Sequence, residues 1–123
     1  MVSELDVIIV ALPLNADSIN IINKEVLDNM HKKSVLINIG RGQSVDENAL
    51  YDTLKEDKIL GAALDVFEVE PLDSNSPLWE LENLLISPHI CGGSNYMNKR
   101  MYDLVYDNLK SYINGEDLKN IVV

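Results

Sequence analysis

The chain has 123 residues, of which 46% are hydrophobic and 24% are charged, a balance that excludes a disordered or low-complexity polypeptide and predicts one globular domain at most. Ten basic and twenty acidic side chains give a formal charge of -10 at pH 7, and a field of that sign repels phosphate backbones and anionic membrane surfaces. Nucleic acid and membranes are therefore excluded as expected partners, whereas the potential inside a local pocket is not fixed by the net charge.

Four apolar segments have the pattern of strands in a parallel sheet, because each runs from a polar start into an apolar body and stops at a glycine, a proline or a polar residue. They comprise residues 6–12, 35–39, 61–66 and 83–86. The first is a continuous β-branched run that ends at Pro13, which predicts a strand buried on both faces of the sheet.

Helical patterns alternate with these strands, so the sequence predicts an α/β fold with a parallel sheet. Asn23 and Asp46 can each cap a helix with one apolar face. The inward-facing residues are Val26, Leu27 and Met30 in the first helix and Ala49, Leu50 and Leu54 in the second. Residues 71–77 predict a loop, since two prolines flank a polar run. Residues 94–114 predict a long amphipathic helix that ends at Gly115 and packs on the sheet or on a partner.

The carboxyl ends of the predicted strands are where we look for function, because open α/β sheets bind their ligands there. After the second strand, Arg41 stands between Gly40 and Gly42, and two glycines let the backbone turn tightly and leave the guanidinium free. A planar guanidinium matches a carboxylate with two hydrogen bonds, which suits an organic-acid substrate. The alternative for this residue alone is a surface arginine in a turn.

Acidic residues and one of the two histidines follow the third and fourth strands. Glu70 precedes Pro71, which restrains the backbone beside it, whereas Glu68 has the pattern of a solvated acid. His89 follows the fourth strand, and a carboxylate that held its ring would make it a usable general acid near neutral pH. On its own, His89 is also compatible with a structural histidine.

Taken in order, three segments resemble the C-terminal half of the NAD-binding domain in D-isomer-specific 2-hydroxyacid dehydrogenases, the family of phosphoglycerate, glycerate, lactate and formate dehydrogenases. The segments read INIGRGQSVDENAL, ALDVFEVEP and SPLWELENLLISPHICGG, and the resemblance extends from Asp6 to Val122. It implies that residues 1–93 form the C-terminal half of a Rossmann-like parallel sheet. Residues 94–123 would then be the long amphipathic helix and a tail that returns to the substrate domain.

The resemblance implies a role for several residues. Arg41 is similar to the residue that grips the substrate carboxylate and carbonyl oxygen, Glu70 to the acid that orients the catalytic histidine, and His89 to the general acid and base. Asp65 resembles the residue that contacts the nicotinamide carboxamide, the cofactor being NAD or NADP, and no metal is implied. The implied cofactor-lining positions are Leu12, Pro13, Ile39, Gly40, Arg41, Asp65, His89, Ile90, Cys91 and Gly92.

The sequence departs from the family pattern at Gln43, Ser44 and Cys91, and none of these changes removes a catalytic group. It contains neither the glycine-rich turn G-x-G-x-x-G, which binds the cofactor pyrophosphate, nor a substrate domain. The resemblance therefore implies a C-terminal fragment of an oxidoreductase that transfers a hydride between NAD(P) and a small D-2-hydroxy or 2-keto acid. We expect the isolated chain to have negligible activity and weak or no cofactor binding.

Two alternatives to this hypothesis follow from the same residues. A non-catalytic module that associates with itself or with a partner is one, because half a sheet exposes a strand edge and an apolar helix face. A structural relic with neither activity nor partner is the other. For the dehydrogenase hypothesis, the expected protein partner is a second copy, giving a homodimer, or the missing N-terminal portion.

The location is predicted from three simpler features. The single Cys91 cannot form an intrachain disulfide, and the start MVSELD is acidic where a signal peptide is basic. The longest apolar run, residues 7–12, is far below the roughly 18 residues that a membrane span requires. We therefore expect a cytoplasmic protein.

Overall fold

The computed structural model describes residues 2–121, in which four parallel strands form one sheet in the order β1-β2-β3-β4. The strands are β1 (Val7–Val10), β2 (Val35–Asn38), β3 (Gly61–Leu64) and β4 (Leu84–Ile86). In their register, Val35 lies opposite both Val7 and Gly61. The predicted parallel α/β sheet is confirmed. The first three strands end earlier than predicted, because the residues that follow them form the turns at the carboxyl edge of the sheet.

The helices are α1 (Lys24–Asp28), α2 (Glu47–Lys55) and α3 (Met97–Asn114). Both predicted caps are confirmed. The Asn23 side chain accepts a hydrogen bond from the Val26 N–H at 3.0 Å, and the Asp46 side chain accepts one from the Ala49 N–H at 2.9 Å. Gly115 ends α3 in the left-handed conformation that glycine tolerates, with φ of 69°. Short 3-10 turns occupy Val2–Glu4, Gly42–Ser44 and Pro77–Glu80, the last beginning where the predicted loop ends.

The described chain divides into two compact units at the link between Cys91 and Gly92. The first unit contains the sheet with α1 and α2, and the second contains α3 and a tail. Within the second unit, the Lys119 backbone exchanges two hydrogen bonds with the Asn108 side chain, at 2.8 and 3.1 Å. The predicted assignment of residues 1–93 and 94–123 to two functional parts stays a prediction, and residues 1, 122 and 123 lie outside the described residues. In residues 2–121, no helix is long and apolar enough to cross a bilayer.

The core lies between the sheet and the two short helices. Leu27 of α1 and Leu50 and Leu54 of α2 are at most 1% exposed and belong to one apolar cluster with the strands. The strand residues of this cluster are Val10, Leu36, Ala62, Leu64 and Leu84. Leu36, Ala62 and Leu84 lie opposite one another in the register, and Val10 and Leu64 both lie opposite Asn38, two positions further along, so all five point to the same face of the sheet. Helices α1 and α2 therefore cover that face.

The prediction that the first strand is buried on both faces is wrong. Val7 and Ile9 are 51% and 60% exposed, and Leu85 of β4 is 75% exposed. These residues alternate with the core residues, so they stand on the opposite face of the sheet. A continuous apolar run predicts cover on both sides, but in the described part of the first unit only one side is covered.

We expect Asp46→Ala to lower the free energy of unfolding by about 1 kcal/mol, because the substitution removes the side-chain acceptor that caps α2. Urea unfolding followed by circular dichroism measures the change. Asp52→Ala is the matched control, since Asp52 is exposed in the middle of the same helix. A loss of the same size in both variants would contradict a role for the cap.

Candidate functional site

The turn after β2 carries Arg41 and is held by a buried amide. Asn38 is 0% exposed; its side chain donates to the Arg41 carbonyl at 3.0 Å and accepts from the Gly40 N–H at 3.1 Å. The exposed Arg41 guanidinium donates only to the Gly40 carbonyl, at 2.7 Å, and forms no ion pair among the described residues. The sequence analysis missed Asn38, although a polar residue at the end of an apolar strand was a signal for it.

The turn after β2 touches the turn after β3 through Gly42. A Cβ atom on Gly42 would lie 1.8 Å from the carbonyl carbon of Phe67, so only a glycine allows this backbone approach. Gly40 approaches the chain beyond β1 in a similar way, since its Cβ would lie 2.9 Å from the Leu12 carbonyl oxygen. The two glycines beside Arg41 therefore bring neighbouring strand ends together, which the sequence analysis had explained only as freedom to turn.

Glu70 and His89 form a hydrogen-bonded pair across the ends of β3 and β4. The His89 Nδ1 and the Glu70 Oε2 atoms are 2.7 Å apart. The other carboxylate oxygen of Glu70 accepts a hydrogen bond from the Phe67 N–H at 3.0 Å. The hydrogen bond to His89 and then the one from Phe67 lower the pKa of Glu70 below its ordinary value. Since Nδ1 faces Glu70, Nε2 is the ring nitrogen left for a ligand.

All three candidate catalytic side chains line one cavity of about 290 Å³ at the carboxyl edge of the sheet. The remaining lining residues are Gly42, Gln43, Phe67 and Glu68. The cavity therefore combines a cation free of carboxylate partners with a histidine whose orientation is fixed by an acid. Such a set can bind a carboxylate and exchange a proton with a nearby oxygen. The structure thus places Arg41, Glu70 and His89 together, while their catalytic roles stay predictions.

The Glu70 and His89 side chains also line a larger cavity of about 400 Å³, whose other residues are mostly apolar. Among them are Phe67, Leu72, Ile86 and Trp79, the single tryptophan of the chain. The Trp79 indole N–H donates to the Asp73 carbonyl at 2.9 Å, which fixes the ring at the edge of this cavity. The sequence analysis gave Trp79 no role.

Most of the predicted cofactor positions lie at the same edge of the sheet. Leu12, Ile39 and Ile90 follow β1, β2 and β4 and are 43%, 43% and 61% exposed, so apolar side chains reach the surface at three strand ends. An exposed apolar surface beside a histidine fits the flat faces of a nicotinamide ring. Pro13 and Cys91 are exposed as well, and Gly92 is the first residue of the second unit. In residues 2–121 no cluster of acids, histidines and cysteine could hold a metal ion.

Asp65, in contrast, is 3% exposed, and its carboxylate accepts hydrogen bonds from other residues of the chain. It accepts hydrogen bonds from the Ser87 hydroxyl at 2.6 Å and from the N–H groups of Ile90 and Cys91 at 2.9 and 2.8 Å. Burial acts to raise the pKa of this carboxyl, but the three hydrogen bonds together outweigh it and lower the pKa to about 2. Asp65 therefore stays ionised at any ordinary pH.

The ionised, hydrogen-bonded Asp65 carboxylate should contribute to the stability of the fold, and this contribution should disappear at low pH. The pKa of about 2 in the folded chain lies below the roughly 3.9 of an unperturbed aspartate, so ionised Asp65 stabilises the fold above about pH 4. That contribution is lost as the pH falls from about 4 to about 2. We expect the urea midpoint of Asp65→Asn to change less over this interval than that of the wild type. Parallel curves for the two proteins would contradict the lowered pKa.

Comparisons with known proteins agree with this geometry. Residues 1–91 match the sequence model of the family described as D-isomer specific 2-hydroxyacid dehydrogenase, NAD binding domain. A hydroxyphenylpyruvate reductase of Plectranthus scutellarioides is 44% identical over all 123 residues, which are 39% of that protein. A glyoxylate reductase of Korarchaeum cryptofilum is 38% identical over 122 residues, 99% of this chain and 37% of the relative. The chain thus spans about two fifths of the length of these curated relatives.

Solved structures show the same relation. A D-isomer specific 2-hydroxyacid dehydrogenase from Xanthobacter autotrophicus Py2, in complex with NADPH and MES, superposes with a TM-score of 0.89 at 34% identity. The match covers 99% of this chain and 50% of that one. An NADPH-dependent glyoxylate/hydroxypyruvate reductase from Sinorhizobium meliloti gives a TM-score of 0.88 at 28% identity, over 98% of this chain and 39% of that one.

Proposed function

Because the chain belongs to the D-isomer-specific 2-hydroxyacid dehydrogenase family, we propose that it is the C-terminal part of an NAD(P)-dependent oxidoreductase that interconverts D-2-hydroxy acids and 2-keto acids. One observation carries the proposal: Arg41 lines the same cavity as the His89–Glu70 pair. The substrate class follows from the guanidinium, which has no carboxylate partner among the described residues. We further propose that this enzyme acts in the cytoplasm.

Each of the three side chains has a separate task in the reaction. Arg41 binds the substrate carboxylate and so orients the neighbouring keto group toward the histidine. His89 donates a proton from Nε2 to the carbonyl oxygen during reduction and removes it during oxidation. Glu70 holds Nδ1 at 2.7 Å, which fixes the ring and stabilises its positive charge while the proton is on it.

The cofactor supplies the hydride, and this chain offers a surface for its nicotinamide end. Leu12, Ile39 and Ile90 present apolar side chains at the strand ends, against which the flat faces of the ring can pack. A glycine-rich turn for the pyrophosphate is absent from the sequence. The isolated chain is therefore expected to bind NAD(P) weakly or not at all and to show no measurable turnover.

A chimera tests the proposal, because this chain matches all of its length to one segment of the Plectranthus reductase. Replacing that segment with the present chain supplies the missing glycine-rich turn and substrate domain. We expect the chimera to reduce hydroxyphenylpyruvate, glyoxylate or hydroxypyruvate with NADH or NADPH. Arg41→Ala should raise the KM for the keto acid at least about tenfold, since a hydrogen bond to a charged group is lost. A folded, monodisperse chimera without turnover would contradict the proposal.

A second candidate function is a non-catalytic module that associates with itself. The exposed apolar face of the sheet favours it, with Val7, Ile9 and Leu85 all more than half exposed. Light scattering on the isolated chain tests whether it associates with itself. A monomer at micromolar concentrations would count against self-association, and a stable dimer would agree both with this candidate and with the homodimer expected for the dehydrogenase.

A further inference from the structure

Asp65 is the one charged residue that is buried among residues 2–121. It follows β3 directly, and its backbone N–H donates to the Asn38 carbonyl at 3.0 Å, which continues the pairing of β2 with β3. Burying a carboxylate is costly unless hydrogen bonds compensate for the lost water. The hydrogen-bond partners of the Asp65 carboxylate therefore indicate which part of the structure it stabilises.

Four hydrogen bonds join Asp65 to residues 87–91, the segment that carries His89. One carboxylate oxygen accepts from the Ser87 hydroxyl and the Ile90 N–H, and the other accepts from the Cys91 N–H. The Asp65 carbonyl accepts from the N–H of His89 itself, at 2.8 Å. An ionised carboxylate offers about four acceptor positions, so three of them are used within this turn.

These bonds hold His89 in a backbone conformation that it would rarely adopt alone. Its φ is 54°, in the left-handed region, where a residue with a Cβ atom is disfavoured by roughly 1–2 kcal/mol. Three successive N–H groups, from residues 89 to 91, point at Asp65 because of this turn. The same turn directs the His89 ring toward Glu70, at 2.7 Å.

We propose that Asp65 is a positioning residue for proton transfer, which holds residues 87–91 in the left-handed turn from which His89 reaches Glu70. This inference rests on the proposed function for its meaning in catalysis. It is separate from the contact with the cofactor carboxamide that the family resemblance implies, which stays a prediction: through these bonds Asp65 acts on the histidine by way of the backbone. Ser87, which the sequence analysis had not singled out, belongs to the same arrangement.

Asp65→Asn in the full 123-residue chain tests the proposal. An asparagine keeps one acceptor oxygen but places an NH2 group against N–H and O–H donors, so at least one of the three bonds is lost. Two quantities are measured by NMR: the pKa of Glu70 from its carboxyl carbon, and the hydrogen exchange of the amides of residues 89–91. We expect the Glu70 pKa to rise toward its ordinary value and exchange to accelerate at least about tenfold, the equivalent of one hydrogen bond to a charged group.

The Glu70 titration separates positioning from mere support of the fold, because the lowered pKa of Glu70 depends first on its bond to His89. Asp46→Asn is the matched control, since asparagine caps a helix as well as aspartate, and the pKa of Glu70 should be the same in this variant as in the wild type.

A folded Asp65→Asn chain with an unchanged Glu70 pKa overturns the proposal. If Asp65→Asn does not fold, the Ser87→Ala variant is measured instead, because it removes one of the hydrogen bonds to Asp65. A rise of the Glu70 pKa smaller than that expected for Asp65→Asn supports the proposal, and an unchanged Glu70 pKa overturns it. These measurements need no turnover, so they are independent of the proposed activity.

Discussion

Gly42→Ala is expected to lower the free energy of unfolding by about 3 kcal/mol or more, the upper range for overpacking. The new Cβ would lie 1.8 and 1.9 Å from the carbonyl carbon and oxygen of Phe67 and 2.4 Å from the Glu68 nitrogen. All three are backbone atoms, so no side-chain rotation can make room, and the turn after β2 must move away from the turn after β3. Urea unfolding at neutral pH, followed by circular dichroism, measures the loss.

Gly92→Ala is the control for this substitution. Within residues 2–121, apart from Gly92 and its two chain neighbours, no atom lies within 4 Å of the position that its Cβ would take, and we expect a change within about 0.5 kcal/mol. A Gly42→Ala protein as stable as Gly92→Ala would show that the two turns do not touch. The prediction also bears on function, because the contact at Gly42 joins the turn that carries Arg41 to the turn that leads to Glu70.

The strands, the helix caps and the position of the candidate site at the carboxyl edge of the sheet could be predicted from the sequence, because each depends on a local pattern. Asn23 and Asp46 cap helices through hydrogen bonds to residues three positions away, and such bonds are encoded in adjacent sequence. The convergence of Arg41, Glu70 and His89 needed one further rule, that parallel strands end at a common edge. Periodicity and that rule together were enough to place the three residues near one another.

The remaining features depend on contacts between distant segments, which no local pattern encodes. Asp65 bonds to residues 22 to 26 positions away, so its burial and its hold on the histidine turn were invisible in the sequence. The exposure of Val7 and Ile9 was mispredicted for a related reason. An apolar strand predicts that both faces of the sheet are covered, but it does not show whether residues of this chain cover them. Here the chain covers the face opposite Val7 and Ile9.

His89→Gln is expected to have the largest effect on activity. In the chimera with the Plectranthus reductase, kcat should fall by about 10²- to 10⁴-fold, the usual contribution of a positioned general acid. Glutamine can retain a hydrogen bond to Glu70 but cannot exchange a proton near neutral pH. The KM for the keto acid should change little, because Arg41 binds the carboxylate and remains in place. Steady-state kinetics with NADH or NADPH at saturating keto acid measure both quantities.

The chain supplies its own matched control for this experiment, since it contains two histidines. His31 lies beyond α1 with its Nε2 3.6 Å from an Asp6 carboxylate oxygen, and it lines none of the cavities that contain Arg41 or Glu70. His31→Gln should therefore leave kcat within about twofold of the chimera, as surface changes away from a site usually do. Equal losses in the two variants would point to a general effect on folding. An unchanged kcat in His89→Gln would remove His89 from the mechanism and leave the His89–Glu70 pair as a purely structural contact.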